Sequence, residues 1–315
     1  MAGPAIEILG LEKKYLVGVL RRTERVALKP LQLTVEEGEV FGYLGPNGAG
    51  KTTTLKLLMS LIFPSGGSAR MLGKDWRDPE IRRDIGFCPE QPYFYDYLTA
   101  SELLDYYAQL SGIVGRKRGE RVQRALERVG MADAARLQLR KFSKGMLQRV
   151  GIAQAIIHDP KLVFLDEPMS GLDPMGRLEV RDLIQSLKDE GKTIFFSTHI
   201  LSDAETLCDR VAVLNRGELR AVGVVADLTA EVGGRVEVVW QGPGATAGVT
   251  ALGADCRQTA ELVRAQLPDS KLDAAIDAIR RGNGRLVSVT PVRATLEDYF
   301  LQKLGQQPES GVAAR

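Results

Sequence analysis

The sequence predicts an α/β fold with a smaller α+β unit at its C-terminal end, and three features point there. The apolar runs Val40-Phe41-Gly42-Tyr43-Leu44, Lys161-Leu162-Val163-Phe164-Leu165 and Thr193-Ile194-Phe195-Phe196-Ser197-Thr198 lack polar alternation, as strands buried on both faces of a sheet do. Segments with apolar residues at helical spacing lie between them. Beyond about residue 223 the pattern changes to short alternating strands separated by Pro, Gly and Ala.

Taken in order, residues 5 to 43 alternate apolar and polar, the pattern of an antiparallel β subdomain, with Glu37-Gly38-Glu39 as a turn before the strand at Val40. Thr53 to Leu61 reads as a helix. Thr99 and Glu102 make a capping box ahead of Leu103, Leu104, Tyr107 and Leu110. Glu120 to Val129 and Phe142 to His158 continue the helices, so 99–158 is expected to form a helical subdomain. Asp173-Pro174 opens a helix to Asp189, Ile200 to Leu207 a short one, and Arg210 to Leu214 a strand ending in the hairpin turn Asn215-Arg216-Gly217-Glu218. Farther on, Arg235 to Trp240 and Leu286 to Val289 read as strands, Leu272 to Arg280 as a helix, and Gln241 to Gly248 as a gap. The expected domains are 5–222, a small α+β appendage at 232–303, and a disordered tail at 304–315.

Gly45-Pro46-Asn47-Gly48-Ala49-Gly50-Lys51-Thr52 fits G-x-x-x-x-G-K-[ST], with a strand entering it and a helix leaving from Thr53. Glycines let the backbone wrap closely and aim several N–H groups at phosphates, and the helix N-terminus adds its positive end. Lys51 can reach the β- and γ-phosphates, and the Thr52 hydroxyl can ligate Mg²⁺. The core is therefore expected to be that of a P-loop NTPase. Asp166 and Glu167 end an apolar strand, where side chains enter the ligand crevice. Asp166 is placed to hold Mg²⁺, directly or through water. Glu167, one residue beyond, is the natural general base. His199 follows the strand at Thr193 to Thr198. A lone histidine there is more often structural, but beside the loop and the acidic pair the catalytic reading is favoured.

In this order the motifs resemble the nucleotide-binding subunit of an ATP-binding cassette (ABC) transporter, from about residue 5 to about 222. Phe142-Ser143-Lys144-Gly145-Met146 and the Leu147-Gln148-Arg149 after it resemble the signature segment. The resemblance implies that Ser143, Gly145 and the following helix bind the γ-phosphate of ATP held by a second cassette. Ser170-Gly171-Leu172-Asp173 resembles the loop linking two sites across a dimer, and His199 matches the switch histidine. Tyr15 resembles the aromatic that stacks on adenine. What this implies is an ATPase working as two copies, or with a homologous cassette, with ATP and Mg²⁺. It would drive a separate membrane permease from the cytoplasmic face of the cell membrane.

Three departures refine the resemblance. The signature reads Ser-Lys-Gly-Met where many members have Ser-Gly-Gly-Gln. Glu90 falls where a glutamine usually senses Mg²⁺ and the membrane partner, which makes its carboxylate a third candidate oxygen ligand. Extra residues from Leu16 to Glu24 leave two readings of Tyr15, adenine stacking or ordinary strand packing. The lysine-bearing signature and the glutamate together resemble the branch serving ABC-2-type exporters, so export is the expected direction.

Composition agrees with this reading and narrows the partners. The 315 residues are 44% hydrophobic and 26% charged, as in a chain able to bury a core. A net charge of +2 gives no electrostatic reason to expect nucleic acid, and Arg116-Lys117-Arg118 reads as a solvated loop. Cys88, Cys208 and Cys256 have no metal spacing and read as reduced thiols. No apolar stretch approaches the roughly 20 residues that span a bilayer, so a permease would be a separate chain. The alternative, a soluble ABC ATPase acting on nucleic acid or ribosomes, would call for paired cassettes or a coiled-coil insertion. The sequence has one cassette and no heptad run. Tyr93, Phe94, Tyr95 and Tyr97 crowd one loop and leave two readings, rings pinned to the core or a groove for a permease helix.

Overall fold

Alternation, and its absence, sorts the strands into sheets of different kinds. The computed structural model describes residues 3–18, 23–232, 234–292 and 294–304, in two compact units, Met1–Gly223 and Val224–Arg315. Along the first run β1 (Ile6–Val17), β2 (Thr23–Val35), β3 (Val40–Leu44), α1 (Lys51–Leu58), β4 (Gly66–Met71), β5 (Lys74–Asp75) and β6 (Ile85–Cys88). Three helices follow, α2 (Ala100–Leu110), α3 (Arg116–Arg128) and α4 (Lys144–Ile156). The chain then returns through β7 (Leu162–Asp166), α5 (Pro174–Asp189), β8 (Thr193–Thr198), α6 (Leu201–Leu207), β9 (Arg210–Asn215) and β10 (Glu218–Val224).

The alternating segments make one sheet, ordered β2-β1-β4-β5, with β1 antiparallel to β2 and β4. The unalternated runs lie in the other, ordered β10-β9-β3-β8-β7-β6. In it β9, β3, β8, β7 and β6 are parallel neighbours. Every residue of β3, β7 and β8 is buried, which is why their sequences show no polar face. Phe195 packs against Phe164 and Phe41 at ring distances of 5.4 and 5.7 Å. Because these strands run parallel, their carboxyl ends emerge together, with Leu44 beside Thr198 and Asp166 beside Ser197. That edge is where a parallel sheet offers a ligand crevice.

Local signals start the helices. Thr99 and Glu102 form the reciprocal capping box of α2, and Asp173 caps α5 ahead of Pro174. One expectation is corrected here. Arg116-Lys117-Arg118 is not a loop but the first turn of α3. A basic first turn runs against the helix dipole, so the charge pattern hid the helix. Arg116 pairs with Glu120 at 3.0 Å and Arg118 with Asp105 of α2 at 2.6 Å, which offsets the repulsion.

The second unit holds α7 (Val225–Ala230), β11 (Arg235–Gln241), α8 (Thr246–Thr250), β12 (Asp255–Thr259), β13 (Leu262–Pro268), α9 (Leu272–Arg281), β14 (Arg285–Val292) and α10 (Leu296–Leu304). Its sheet is antiparallel in the order β12-β13-β11-β14. From β11 to β14 this is the β-α-β-β-α-β arrangement of ferredoxin-like folds. Val238, Trp240, Val263 and Ile279 are fully buried at its centre. Gln241 to Gly248 is not a structureless gap, because Pro243–Ala245 forms a 3₁₀ turn leading into α8. The sequence reading missed β12 because Asp255-Cys256-Arg257-Gln258-Thr259 is polar and largely exposed, and gains its form from pairing with β13. The expected tail at 304–315 lies, beyond Leu304, outside the described residues. Among the described residues no helix is long and apolar enough to cross a membrane.

Candidate functional site

The loop between β3 and α1 is shaped by its neighbours. Gly45 N–H donates to Thr198 O at 3.4 Å, and Gly217 N–H donates to Ala49 O at 2.8 Å. Gly50 has φ +112°, and a Cβ there would stand 2.8 Å from Ala27 O, so only glycine fits. This close wrapping delivers Lys51 to the start of α1, buried, with its ammonium donating to Gly45 O at 2.7 Å and Pro46 O at 3.3 Å.

One buried carboxylate meets that ammonium from just beyond the end of β7. Glu167 Oε1 lies 3.1 Å from Lys51 Nζ, and both side chains are almost fully enclosed. Glu167 leaves the strand at φ +50°, a left-handed conformation in a non-glycine residue. Such a conformation costs on the order of 1–3 kcal/mol and collects at functional sites. It is fixed by hydrogen bonds from Glu167 N–H to Ser197 O at 3.1 Å and Ser197 Oγ at 3.2 Å. The turn swings the carboxylate toward His199, whose Nδ1 is 2.8 Å from Glu167 Oε2. Asp166 lies deeper, 2% exposed, accepting from Ser197 Oγ at 2.5 Å and Thr52 Oγ1 at 3.5 Å. Burial pushes its carboxyl above the ordinary carboxylate value, and the hydrogen bonds from Ser197 and Thr52 pull it partly back.

A cavity of about 930 Å³ opens over this cluster. Asn47, Gly48, Gly50, Lys51, Thr52, Thr53, Glu90, Glu167 and His199 line one part of it, and Tyr15, Arg25, Val26 and Ala27 another. Tyr15 sits opposite Arg25 on β2, 38% exposed, with the Lys13 ammonium 4.9 Å from its ring centroid. Gly45, Pro46, Ala49 and Asp166 do not line it; Gly45, Ala49 and Asp166 are buried, whereas Pro46 is exposed. Ser143 and Gly145 stand apart from the cluster at the start of α4, where Ser143 Oγ caps the helix by accepting from Met146 N–H at 3.2 Å. Lys144 lies over Gly171, whose φ of +68° favours glycine.

Sequence reasoning passed over Ser197, which ties Asp166 to the backbone of Glu167. The available signal was a polar residue near the end of an otherwise apolar strand. It also passed over Arg25 and Arg216, two cations on the cavity wall. The crowded aromatics divide between the two readings open to them. Phe94 turns in, edge-on to Tyr107 at 6.5 Å, whereas Tyr93, Tyr95 and Tyr97 are exposed.

The donor set suits a nucleotide with its metal. Backbone wrapping and one buried ammonium match phosphates, and a threonine hydroxyl beside a carboxylate matches a hard cation. Among the described residues no group of three or more acidic, histidine or cysteine side chains could hold a metal unaided, so a cation here would share phosphate oxygens and water. Comparison with known proteins agrees. The family described as ABC transporter matches residues 28–170. An ABC transporter ATP-binding protein of Synechocystis sp. is 45% identical over 96% of this chain and 85% of its own length. A fluoroquinolones export ATP-binding protein of Mycobacterium tuberculosis is 36% identical over 96% of this chain and 94% of its own. Among solved structures, the dimeric post-hydrolysis state of an ATP-binding cassette bound to ADP and Pi superposes with a TM-score of 0.64. It is 27% identical and covers 70% of this chain and 98% of its own.

Proposed function

The chain belongs to the ATP-binding proteins of ABC transporters, and on that premise we propose how its residues divide the work of ATP hydrolysis and which partners they serve. The observation that carries the reading is the convergence of Lys51, Glu167 and His199 on one point beside the loop. The backbone from Gly45 to Thr53 and the Lys51 ammonium hold the phosphates, while Tyr15 offers its exposed ring to the adenine. Thr52 and Asp166, with Glu90 at the cavity wall, would hold Mg²⁺. When bound, Mg²⁺ supplies charge neutralisation at the phosphates. Glu167 takes the proton of the attacking water, its carboxylate aimed by the strained backbone and by His199 Nδ1.

One subunit leaves this arrangement incomplete. Ser143 and Gly145 stand at a helix N-terminus outside the cavity, where a helix can present N–H groups and positive dipole to a phosphate. We assign them to the ATP of a second copy, or of a homologous cassette, so that two chains close around two nucleotides. The partner that uses the motion is a separate membrane permease, with this chain peripheral on the cytoplasmic side. The names of the relatives support export. They are ATP-binding proteins of transporters, which gives the alternative of a nucleic-acid or ribosome ATPase no support.

Glu167→Gln tests the assignment. It keeps shape but cannot accept a proton, so turnover should fall by roughly 10²–10⁴-fold. ATP should still bind, and an ATP-bound dimer should accumulate on size exclusion. Wild-type turnover by the variant overturns the role of Glu167. Mixing Ser143→Arg with Lys51→Ala subunits tests the pairing, because both lesions then fall in one site and the other is left whole. Recovery of activity on mixing two dead homodimers supports the head-to-tail arrangement.

A further inference from the structure

One buried hydroxyl joins the two acidic residues of the site. Ser197 is fully buried on β8, directly beside Asp166 of β7. Its Oγ stands 2.5 Å from Asp166 Oδ1 and accepts from Glu167 N–H at 3.2 Å. A serine hydroxyl carries one proton. With the Glu167 N–H directed at the oxygen, that proton is left to donate to Asp166. The bonds therefore run one way, from N–H through Oγ–H to Oδ1, and each polarises the next.

The two ends of this chain control different things. At Glu167 the N–H is shared between Ser197 O at 3.1 Å and Ser197 Oγ, which holds the residue at φ +50°. Such a backbone persists only where its surroundings over-determine it. That angle sets where the carboxylate goes, 3.1 Å from Lys51 Nζ and 2.8 Å from His199 Nδ1. At Asp166 the hydroxyl takes Oδ1, to which Thr52 Oγ1 also donates at 3.5 Å. Among the described residues Asp166 Oδ2 accepts no hydrogen bond. Fixing one oxygen leaves the other uncommitted, as a carboxylate oriented for a cation requires. Ser197 does not line the cavity, so any influence it has passes through these two neighbours.

We propose that Ser197 is a positioning residue for hydrolysis, whose hydroxyl fixes the carboxylates of Asp166 and Glu167 relative to each other. This rests on the roles assigned to those two residues above and adds what aligns them. Ser197→Ala removes the link and little else. Glu167 N–H keeps the carbonyl of residue 197, and Asp166 keeps Thr52, so neither neighbour is left without a partner.

The test uses the purified full chain and three readouts. These are kcat and KM for ATP at saturating Mg²⁺, the Mg²⁺ concentration giving half the maximal rate, and affinity for a non-hydrolysable ATP analogue in Mg²⁺ and in EDTA. Loss of a group that orients a ligand or base costs roughly 10–100-fold, so Ser197→Ala should lower kcat by about tenfold or more and leave KM within about twofold. The Mg²⁺ requirement should rise by about tenfold. Affinity for the analogue in EDTA should be unchanged, while the gain on adding Mg²⁺ should shrink. Ser197→Thr keeps the hydroxyl and should keep most of the activity. Adding Ser197→Ala to Glu167→Gln should lower kcat at saturating Mg²⁺ little further, because the base it aims is already gone. Losses that multiply would mean that Ser197 acts elsewhere, and the inference falls. It falls equally if Ser197→Ala and Ser197→Thr lose the same activity, or if Ser197→Ala matches the parent in kcat and Mg²⁺ requirement while Glu167→Gln is defective. Parent turnover by Glu167→Gln itself would instead overturn the base assignment beneath it.

Discussion

Both units of this chain have apolar cores, and they differ in what else they bury. In the second, the buried residues among those described are apolar, with Val238, Trp240, Val263 and Ile279 at the centre. In the first, Lys51, Asp166, Glu167 and Ser197 are buried at the carboxyl ends of the parallel strands, and Glu167 is held at positive φ. Burying charge costs far more than burying methyl groups unless partners are supplied. The first unit supplies them at one edge, from loop carbonyls, a serine, a threonine and a histidine. What the contrast teaches is that, on the proposed assignment, the nucleotide edge carries buried charge for chemistry at a cost in stability, whereas the buried residues described in the ferredoxin-like unit are apolar.

The largest test breaks the buried pair. Lys51→Ala should abolish ATPase activity and also lower stability, because Glu167 would keep a buried carboxylate with only His199 beside it. Breaking one partner of a buried pair costs about 3–5 kcal/mol, and the remaining histidine should bring the loss to the lower end. Lys51→Ala combined with Glu167→Gln should regain most of that stability and none of the activity. Thermal melting of the two variants decides it. An unchanged melting temperature in the single variant would mean that Lys51 serves phosphate binding alone.

The second test breaks the apolar interior. Trp240 is fully buried among Val238, Val263 and Ile279, and Trp240→Ala should cost about 3–5 kcal/mol. If the units are independent, calorimetry should show one transition falling and the other staying, with basal ATPase activity kept below the lower transition. A single shifted transition with lost activity would make the two interiors one cooperative system.

How legible these regions were in the sequence follows from the same contrast. β3 and β8 begin and end where the apolar runs do, because strands buried on both faces are mostly apolar, and the polar residues of β8 stand at or next to its ends. The caps at Thr99 and Asp173 were readable because their side-chain bonds are local. The second unit was legible only in part. Its polar edge strand β12 takes its form from β13, and α8 is five residues long, too short for a periodicity. At the site, residue types announced Lys51, Asp166 and Glu167. The role of Ser197 depends on β8 lying beside β7, a nonlocal fact. That Tyr93 and Phe94, adjacent in sequence, face opposite ways was likewise fixed by packing, since Tyr107 and Gly151 receive the Phe94 ring.

A smaller effect should appear at Asp166. Burial raises its carboxyl above the ordinary value, so the folded state favours the protonated form. Its stabilising contribution is then complete below the unfolded value of about 4 and is lost as pH rises through the folded value. At neutral pH the ionised group therefore burdens the fold. Asp166→Asn should raise the melting temperature at pH 7 in the absence of nucleotide and Mg²⁺, with the gain shrinking toward pH 4. Hydrolysis should fall at the same time. A variant less stable than the parent at pH 7 would mean that the hydrogen bonds from Ser197 and Thr52 outweigh burial.

The smallest effect contrasts the interiors through their thiols. Cys88 is fully enclosed between the strand end and α4, with Gln148 Nε2 at 3.8 Å, and burial pushes its thiol up to about 12. Cys208 is also buried, and burial likewise pushes its thiol well above the ordinary value. Cys256 on β12 is only half-buried, with Thr250 Oγ1 donating to its sulfur at 3.4 Å. Thiolate, not thiol, is the reactive form, so burial disfavours Cys88 and Cys208 twice over, and exposure favours Cys256. At pH 8 a disulfide reagent should therefore titrate one fast thiol per native chain, and the other two only after denaturation. Cys256→Ser should remove the fast phase and leave the slow ones. A fast phase that survives this substitution would mean that Cys88 or Cys208 is reached through opening of the first unit. In that case the charged interior, and not the apolar one, would be the looser of the two.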